Sequence, residues 1–454
     1  VTGVQTCALP FRSRVSVRRR ARLVDYRMHD GCAPRVWAQI QIDPAVVSAV
    51  VVLAGTTLLT RAPGLPVTLQ PDTPKYRAAL ETNPEFFDTL HDLTGYSAHN
   101  EMCFYTWGAS QCVLPRGATR ATLAGEYPNL QPGDVLIFEE VRGPVTGDPA
   151  DADPGHRFAV RLTGVSPSED PLFGQKVTEI EWHPDDALPA PLCLSSNAPP
   201  SDEATDWPCP QAISVARGNI VLAQHGRWMP IEALGAVPEN SLFYAPTTQA
   251  RCEPGKPDAV PLRFRPRLGY QPVAQVVEYR HDEALTASAS RMTQLDPASA
   301  LPCVELGEDD QFDSGTLLWT PQRDLLDARP DDRHFVLEVE NDGTGRLRFG
   351  DGIQGRRPEA GDTFFARYAI GDGLAGNIGF DALGHAVTTS VSIVGVRNPL
   401  PAKGGQGPEG IETVRQNAPN AFRTQERAVT PADYEAVALR YPDVQRAAAT
   451  FRWT

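Results

Sequence analysis

Glycine and proline punctuate this chain from end to end, and that punctuation limits what it can fold into. The 37 glycines and 42 prolines are spread over 454 residues without a period. The missing period excludes a collagen-like helix. Glycine supplies positive φ, and proline fixes φ while removing a donor, so many turns between short elements follow. Between the interruptions the apolar pattern is that of strands. Trp37 to Ile42 and His334 to Glu340 alternate. Val135 to Phe138, Arg157 to Val165, Val177 to Trp182 and Arg217 to Leu222 are bounded by Pro, Gly or Asp. With 41% apolar and 22% charged residues the composition is globular, and the length suits about two to four domains. The class this predicts is α+β, mostly β: several antiparallel β-rich domains, a small helical insertion and a truncated C-terminal α/β module.

The formal net charge is −14, the wrong sign for a protein that grips phosphate backbones, so no nucleic-acid partner is expected. The one basic run, Arg12 to Arg22, reads as the solvated side of a helix. The most apolar stretch, Val46 to Gly55, is too short to span a bilayer and reads as a buried strand; no membrane insertion is expected. The eight cysteines, at positions 7, 32, 103, 112, 193, 209, 252 and 303, form no CxxC pair. They read as scattered free thiols in a reducing compartment. Residues Val1 to Pro10 look like a translated sequencing adaptor, and both ends read as truncated.

Four regions follow from the pattern. Residues 1–20 hold the adaptor-like artefact and a truncated helix, and residues 21–300 are β-rich. Within the latter, 63–96 is expected to be a helical insertion, with helices over Lys75 to Leu80 and Pro84 to Leu93, the second capped by Asn83. Residues 301–400 form a third, antiparallel β region. There Gly350-Asp-Gly352 and Gly371-Asp-Gly373 are expected to supply the positive φ of hairpin turns. Residues 401–454 change class. Lys403-Gly-Gly-Gln-Gly407 reads as a flexible joint and Pro408 to Gln416 as a helix. Thr430-Pro-Ala-Asp433 reads as a capped helix start with a capping box, and Val444 to Trp453 as a strand.

The order of several motifs carries a resemblance. Gly371-Asp-Gly-Leu-Ala-Gly-Asn-Ile-Gly379 is followed by Val396-Arg-Asn-Pro-Leu-Pro401, Gly404-Gly405, Glu412-Thr-Val-Arg415, Ala421-Phe-Arg423, Arg427 to Tyr434 and Tyr441-Pro-Asp-Val-Gln-Arg446. This resembles the C-terminal half of the baseplate J-like wedge family of phage tails and contractile injection systems, in its longer baseplate assembly branch. Cys112-Val-Leu-Pro-Arg-Gly117, Leu130 to Glu140, Asp170-Pro-Leu172, Ala216-Arg-Gly-Asn219 and Leu347 to Gly352 look like the same branch, so the likeness covers roughly residues 21 to 454.

The resemblance implies a structural baseplate wedge subunit of a phage-like contractile tail or injection particle. Such a subunit acts in baseplate assembly and in coupling to sheath contraction. It is not an enzyme, and no catalytic, cofactor-binding or metal-binding residues are carried over. Its implied partners are other baseplate wedge, hub, tube and sheath proteins in a multi-copy ring, assembled in the bacterial cytoplasm. The candidate assembly-interface residues are Gly373, Gly376, Asn377, Gly404, Gly405, Arg415, Thr430, Asp433 and Tyr434.

His91, His99, Cys103 and Cys112 have zinc-ligand atoms but match no finger or hydrolase spacing. Gly371 to Gly379 lacks the helix that a dinucleotide loop needs. Asp342, Asp351, Asp362 and Asp372 fit turns better than a calcium loop. Carboxylate pairs among Glu139, Glu140, Asp185 and Asp186 remain the basis of an alternative, a tail-associated glycan-binding or hydrolase module on a β-sandwich.

Overall fold

The structure is a computed structural model. It describes residues 13–197, 209, 212–239, 241–243, 258–260, 262–312, 318–423, 429–439, 441, 444 and 446–452. The adaptor-like expectation at residues 1–10 lies outside them. Strand accounts for 34% and helix for 15%, which makes the class α+β and mostly β. The α-helices among the described residues are α1 (Arg14–Ala21), α2 (Pro74–Glu81), α3 (His281–Thr286), α4 (Ile411–Arg423) and α5 (Pro431–Ala438). None is long and apolar enough to cross a membrane.

Two compact units divide the chain, one formed by residues 29–408 and one by residues 1–28 with 409–454. In the larger unit a seven-stranded sheet runs Ile393–Arg397, Arg35–Ile42, Ile220–His225, Phe86–Thr89, Thr57–Thr60, Leu383–Val387, Thr68–Leu69. A six-stranded sheet runs Met102–Cys103, Ser214–Arg217, Val135–Glu140, Arg157–Asp170, Gln175–Trp182, Arg120–Ala124. Strand Thr363–Ile370 gathers Arg227–Trp228, Glu232–Ala236 and Val304–Gly307 around it.

The strand Arg35–Ile42 shows how the pattern is used. Val36, Ala38, Ile40 and Ile42 enter one core with Leu58, Phe87 and Val221. Trp37 enters another on the opposite face, with Ile137, Ile220 and Leu222. Alternation here separates two buried faces, not core from solvent. The polar Gln39 is fully buried, and its Nε2 donates to the Asn100 carbonyl at 2.7 Å. The six-stranded sheet closes on Phe104, Phe138 and Trp182 in edge-to-face contact. A third core collects Trp319, Phe335, Phe349, Phe364 and Tyr368.

Several sequence expectations are corrected. In 63–96 one helix forms, α2, capped by Thr73 with Pro74 in its first turn. Asn83 follows that helix in the left-handed conformation at φ 51°, and the expected second helix is replaced by strands Phe86–Thr89 and Leu93–Gly95. Strand pairing with Thr57–Thr60 and Ile220–His225 outweighs the local capping signal. Val46 to Gly55 is not a buried strand: only Val50–Val52 pairs, and Val47 is 94% exposed. Gly352 has positive φ, but Gly350, Gly371 and Gly373 are not among the positive-φ glycines. Strands Gly345–Phe349 and Thr363–Ile370 lie in different sheets, so the expected hairpin between them is absent. Cys103 and Cys209 are joined in a disulfide, against the expectation of free thiols throughout.

The smaller unit packs α1 on α4. Val17, Ala21 and Met28 meet Val414 and Ala418 in its core. Ser13 caps α1, and Arg18, Arg19 and Arg20 fall in its last turn, where the helix dipole favours cations. Helix α4 begins at Ile411, three residues after the expected start at Pro408. No strand forms among the described residues of Val444 to Trp453.

Candidate assembly interface

Five of the nine candidate residues converge. After strand Thr363–Ile370 the chain turns at Asp372, whose Oδ1 accepts from the Leu374 amide at 3.0 Å and whose carbonyl accepts from Gly376 at 3.2 Å. This loop meets the segment around Gly404 and Gly405. Asn377 Nδ2 donates to the Gly405 carbonyl at 2.9 Å, and the Gly405 amide donates to Asn377 Oδ1 at 3.1 Å.

The glycines are there for close approach. A Cβ on Gly373 would lie 2.3 Å from the carbonyl oxygens of Cys32 and Gln406, and one on Gly405 would lie 2.1 Å from the Gly373 carbonyl. One on Gly376 would strike the His225 ring at 2.5 Å. Gly404 alone of these has positive φ, at 88°. The expected flexible joint is therefore pinned: Cys32 pairs with Gln406, and Arg35 with Lys403, in both directions at 2.9–3.0 Å.

Beneath this loop the buried His225 bonds Glu85 through Nε2 at 2.8 Å, while its Nδ1 is buried without a hydrogen-bond partner. Gly371 and Gly376 lie against that ring, which leaves no room for side chains.

The other four candidates lie in the smaller unit. Arg415 on α4 is exposed and pairs with Glu412 one turn back. Thr430 caps α5: its Oγ1 accepts from the Asp433 amide at 3.3 Å, and Asp433 Oδ2 accepts from the Thr430 amide at 2.8 Å. The capping box read from the sequence is present. Helix α5 has no buried residue. Tyr434 and Val437 are 47% and 42% exposed, and the Tyr434 ring meets Phe451 edge-on at 5.9 Å.

The rival sites are occupied otherwise. Cys103 is held by Cys209. His99 is buried, which pushes its imidazole down to about 4. His91 stacks on His281 at 5.3 Å, and Cys112 lies apart on strand Cys112–Leu114. Among the described residues no group of three or more His, Cys, Asp or Glu could hold a metal ion. Asp186 accepts from the amides of Arg161, Ala289 and Ser290, and Glu140 binds His156 Nδ1 at 2.6 Å.

Glu139 anchors a network that sequence reasoning missed. Arg397 Nη2 lies at 2.6 Å, Arg217 Nε at 3.0 Å and Arg157 Nε at 3.2 Å. Asp381 bonds Arg397 at 2.7 Å and Arg157 at 3.1 Å, and Glu101 bonds Arg217. Burial pushes the Glu139 carboxyl up, but the hydrogen bond and charge of Arg397, then the charges of Arg217 and Arg157, outweigh it and hold it below the usual range. The network ties the edge of the seven-stranded sheet, through Arg397, to three strands of the six-stranded one. A signal existed: Val135–Glu140 is apolar for four residues and then ends in two carboxylates.

The protein is mostly β, and its candidate residues divide into close-packed glycines with Asn377, the capping pair of α5, and the exposed Arg415 and Tyr434. The Baseplate J-like central domain family model matches residues 426–454. A chain of the TssK–TssF–TssG baseplate subcomplex of a type VI secretion system, solved by cryo-electron microscopy, is similar in structure. The identity is 11%, the TM-score is 0.40, and the match covers 94% of this chain and 76% of that one. Among curated proteins none matches the sequence.

Proposed function

We propose that the chain is a structural baseplate subunit of a phage-like contractile tail or injection particle. It is of the wedge type, acting in baseplate assembly and in the coupling of the baseplate to sheath contraction. The observation that carries this reading is the ordered motif set ending in the segment 426–454 that matches the baseplate J-like family. Two structural features support it. Helix α5 in that segment is pre-ordered by its capping box yet fully buries none of its own apolar side chains. Three of the four carboxylates on which a hydrolase could draw are engaged elsewhere: Glu139 by three arginines, Glu140 by His156 and Asp186 by three backbone amides.

In this proposal the partners are the neighbouring wedge, hub, tube and sheath proteins of a multi-copy ring assembled in the bacterial cytoplasm. Thr430, Asp433, Tyr434 and Arg415 belong to the mating surface. The Gly373, Gly376, Asn377, Gly404 and Gly405 clasp keeps its own unit rigid.

The test is purification of intact particles from cells expressing the tagged chain, followed by mass spectrometry and electron microscopy. The chain is expected at stoichiometric level in baseplates, and Tyr434→Ala is expected to lower particle yield severalfold. Intact particles that never contain the chain, or full yield with the Tyr434 variant, would count against the reading.

A further inference from the structure

Strands Arg157–Asp170 and Gln175–Trp182 form a long hairpin whose tip is Pro171 to Gly174. Two large apolar side chains stand out at this tip. Leu172 is 86% exposed and Phe173 is 73% exposed. Their backbone is fixed all the same. Asp170 Oδ1 accepts from the Leu172 amide at 2.8 Å, the Gly174 amide donates to the Asp170 carbonyl at 2.8 Å, and Gly174 takes the positive φ that closes the turn.

A second aromatic is tied to the same tip. Tyr105 donates its hydroxyl to Asp170 Oδ2 at 2.7 Å and meets Trp107 edge-on at 5.2 Å. Trp107 is half exposed and sits at φ 54°, a conformation that bulky residues avoid. Three large apolar groups are thus displayed on pre-ordered backbone, the arrangement that reduces the entropy lost on binding.

The charges around the tip select the partner. Nearest the tip, the exposed Glu169 faces Lys176 across the hairpin, Lys176 is 2.8 Å from the exposed Glu126, and Glu179 is exposed farther along the arm, so three carboxylates surround one lysine. An acidic collar on a chain of net charge −14 repels both a second copy of itself and an anionic lipid surface.

We propose that this tip is a plug: Leu172, Phe173 and Trp107 enter an apolar socket rimmed by arginine or lysine on a different protein subunit. The inference rests on the assembly reading above, since the socket is placed on a neighbouring subunit.

The test uses full-length chain carrying Leu172→Ser with Phe173→Ser, and separately Glu169→Gln with Glu179→Lys. All four positions are exposed, so both variants are expected to keep the wild-type melting temperature. Both are expected to enter particles about tenfold less than wild type, the scale of a hot-spot loss. If wild type enters particles and the tip variants enter equally well, the plug fails while the baseplate reading stands. If wild type never enters particles, the baseplate reading fails and the plug with it. Two further results overturn the plug: wild type floating with phosphatidylcholine or phosphatidylglycerol vesicles in a tip-dependent way, which makes it a membrane contact, and tip-dependent dimers in sedimentation, which makes it a self-contact.

Discussion

Asn377 and Gly405 bond each other reciprocally, side-chain amide to backbone at 2.9 Å and backbone amide to side-chain oxygen at 3.1 Å, across 28 residues of sequence. Each side imposes a requirement on the other. Asparagine alone supplies both a donor and an acceptor in that geometry, and glycine alone lets the backbones approach. Asn377→Ala is expected to cost about 1 kcal/mol, the net worth of such bonds at an exposed site. Gly405→Ala is expected to cost more, about 1–3 kcal/mol, because its Cβ would meet the rigid Gly373 carbonyl. Urea midpoints for both variants check the order; an Asn377→Ala loss larger than that of Gly405→Ala contradicts it.

Glu139 accepts hydrogen bonds from Arg397 and Arg217 and is ion-paired with Arg157 at 3.2 Å. Replacing it with Gln leaves three largely buried guanidinium groups short of a counter-charge, so a loss of about 3–5 kcal/mol is expected at neutral pH. The pH dependence has a definite sign. A carboxylate held below its unfolded value contributes stability that is present above that value, about 4.3, and lost as pH falls through the folded one. Wild type is therefore expected to lose stability in acid more steeply than Glu139→Gln. Parallel denaturation curves from pH 5 downward would remove Glu139 from the account.

How much of this was legible in the sequence differs from element to element. Strand Gln175–Trp182 and the Thr430 capping box were readable because each signal is local: a bounded apolar run, and cap residues three positions apart. Asn83-Pro84 misled because the same local signal was overruled by pairing of Phe86–Thr89 with two distant strands. The glycines of 371–379 and 404–405 were flagged as a motif, but their partners, Cys32, Gln406 and His225, are remote in sequence, so close approach was mistaken for turn geometry. The Cys103–Cys209 disulfide spans 106 residues and the Glu139–Arg397 pair spans 258, and no spacing rule reaches that far.

Asp88 titrates with the opposite sign to Glu139. Burial on the strand Phe86–Thr89 pushes its carboxyl up to about 6, although Thr57 donates to it at 2.6 Å. The folded value lies above the unfolded one of about 3.9, so the associated stability is present below that pH and lost as pH rises through about 6. Asp88→Asn keeps an acceptor for Thr57 and removes the buried charge. It is expected to stabilise the protein at pH 7 by roughly 2–3 kcal/mol and to be nearly neutral at pH 4. Equal effects at the two pH values would show that Asp88 is ionised without penalty.

Thr430 and Asp433 hold the first turn of α5, a helix with no buried residue to stabilise it from below. In such a helix the cap is a large share of what keeps the turn formed, because tertiary packing contributes little. Thr430→Ala is expected to cost about 1 kcal/mol of local stability, and Thr430→Ser close to nothing, since the acceptor oxygen remains. One kcal/mol is about a fivefold change in the open population, so the amides of Asp433 and Tyr434 are expected to exchange about fivefold faster in the alanine variant. The amides of Val36 to Ile40, in the sheet of the larger unit, should be unaffected. Unchanged exchange at Asp433 and Tyr434 in Thr430→Ala would mean that something other than the capping box orders this helix, and its role as a pre-formed mating surface would lose its structural basis.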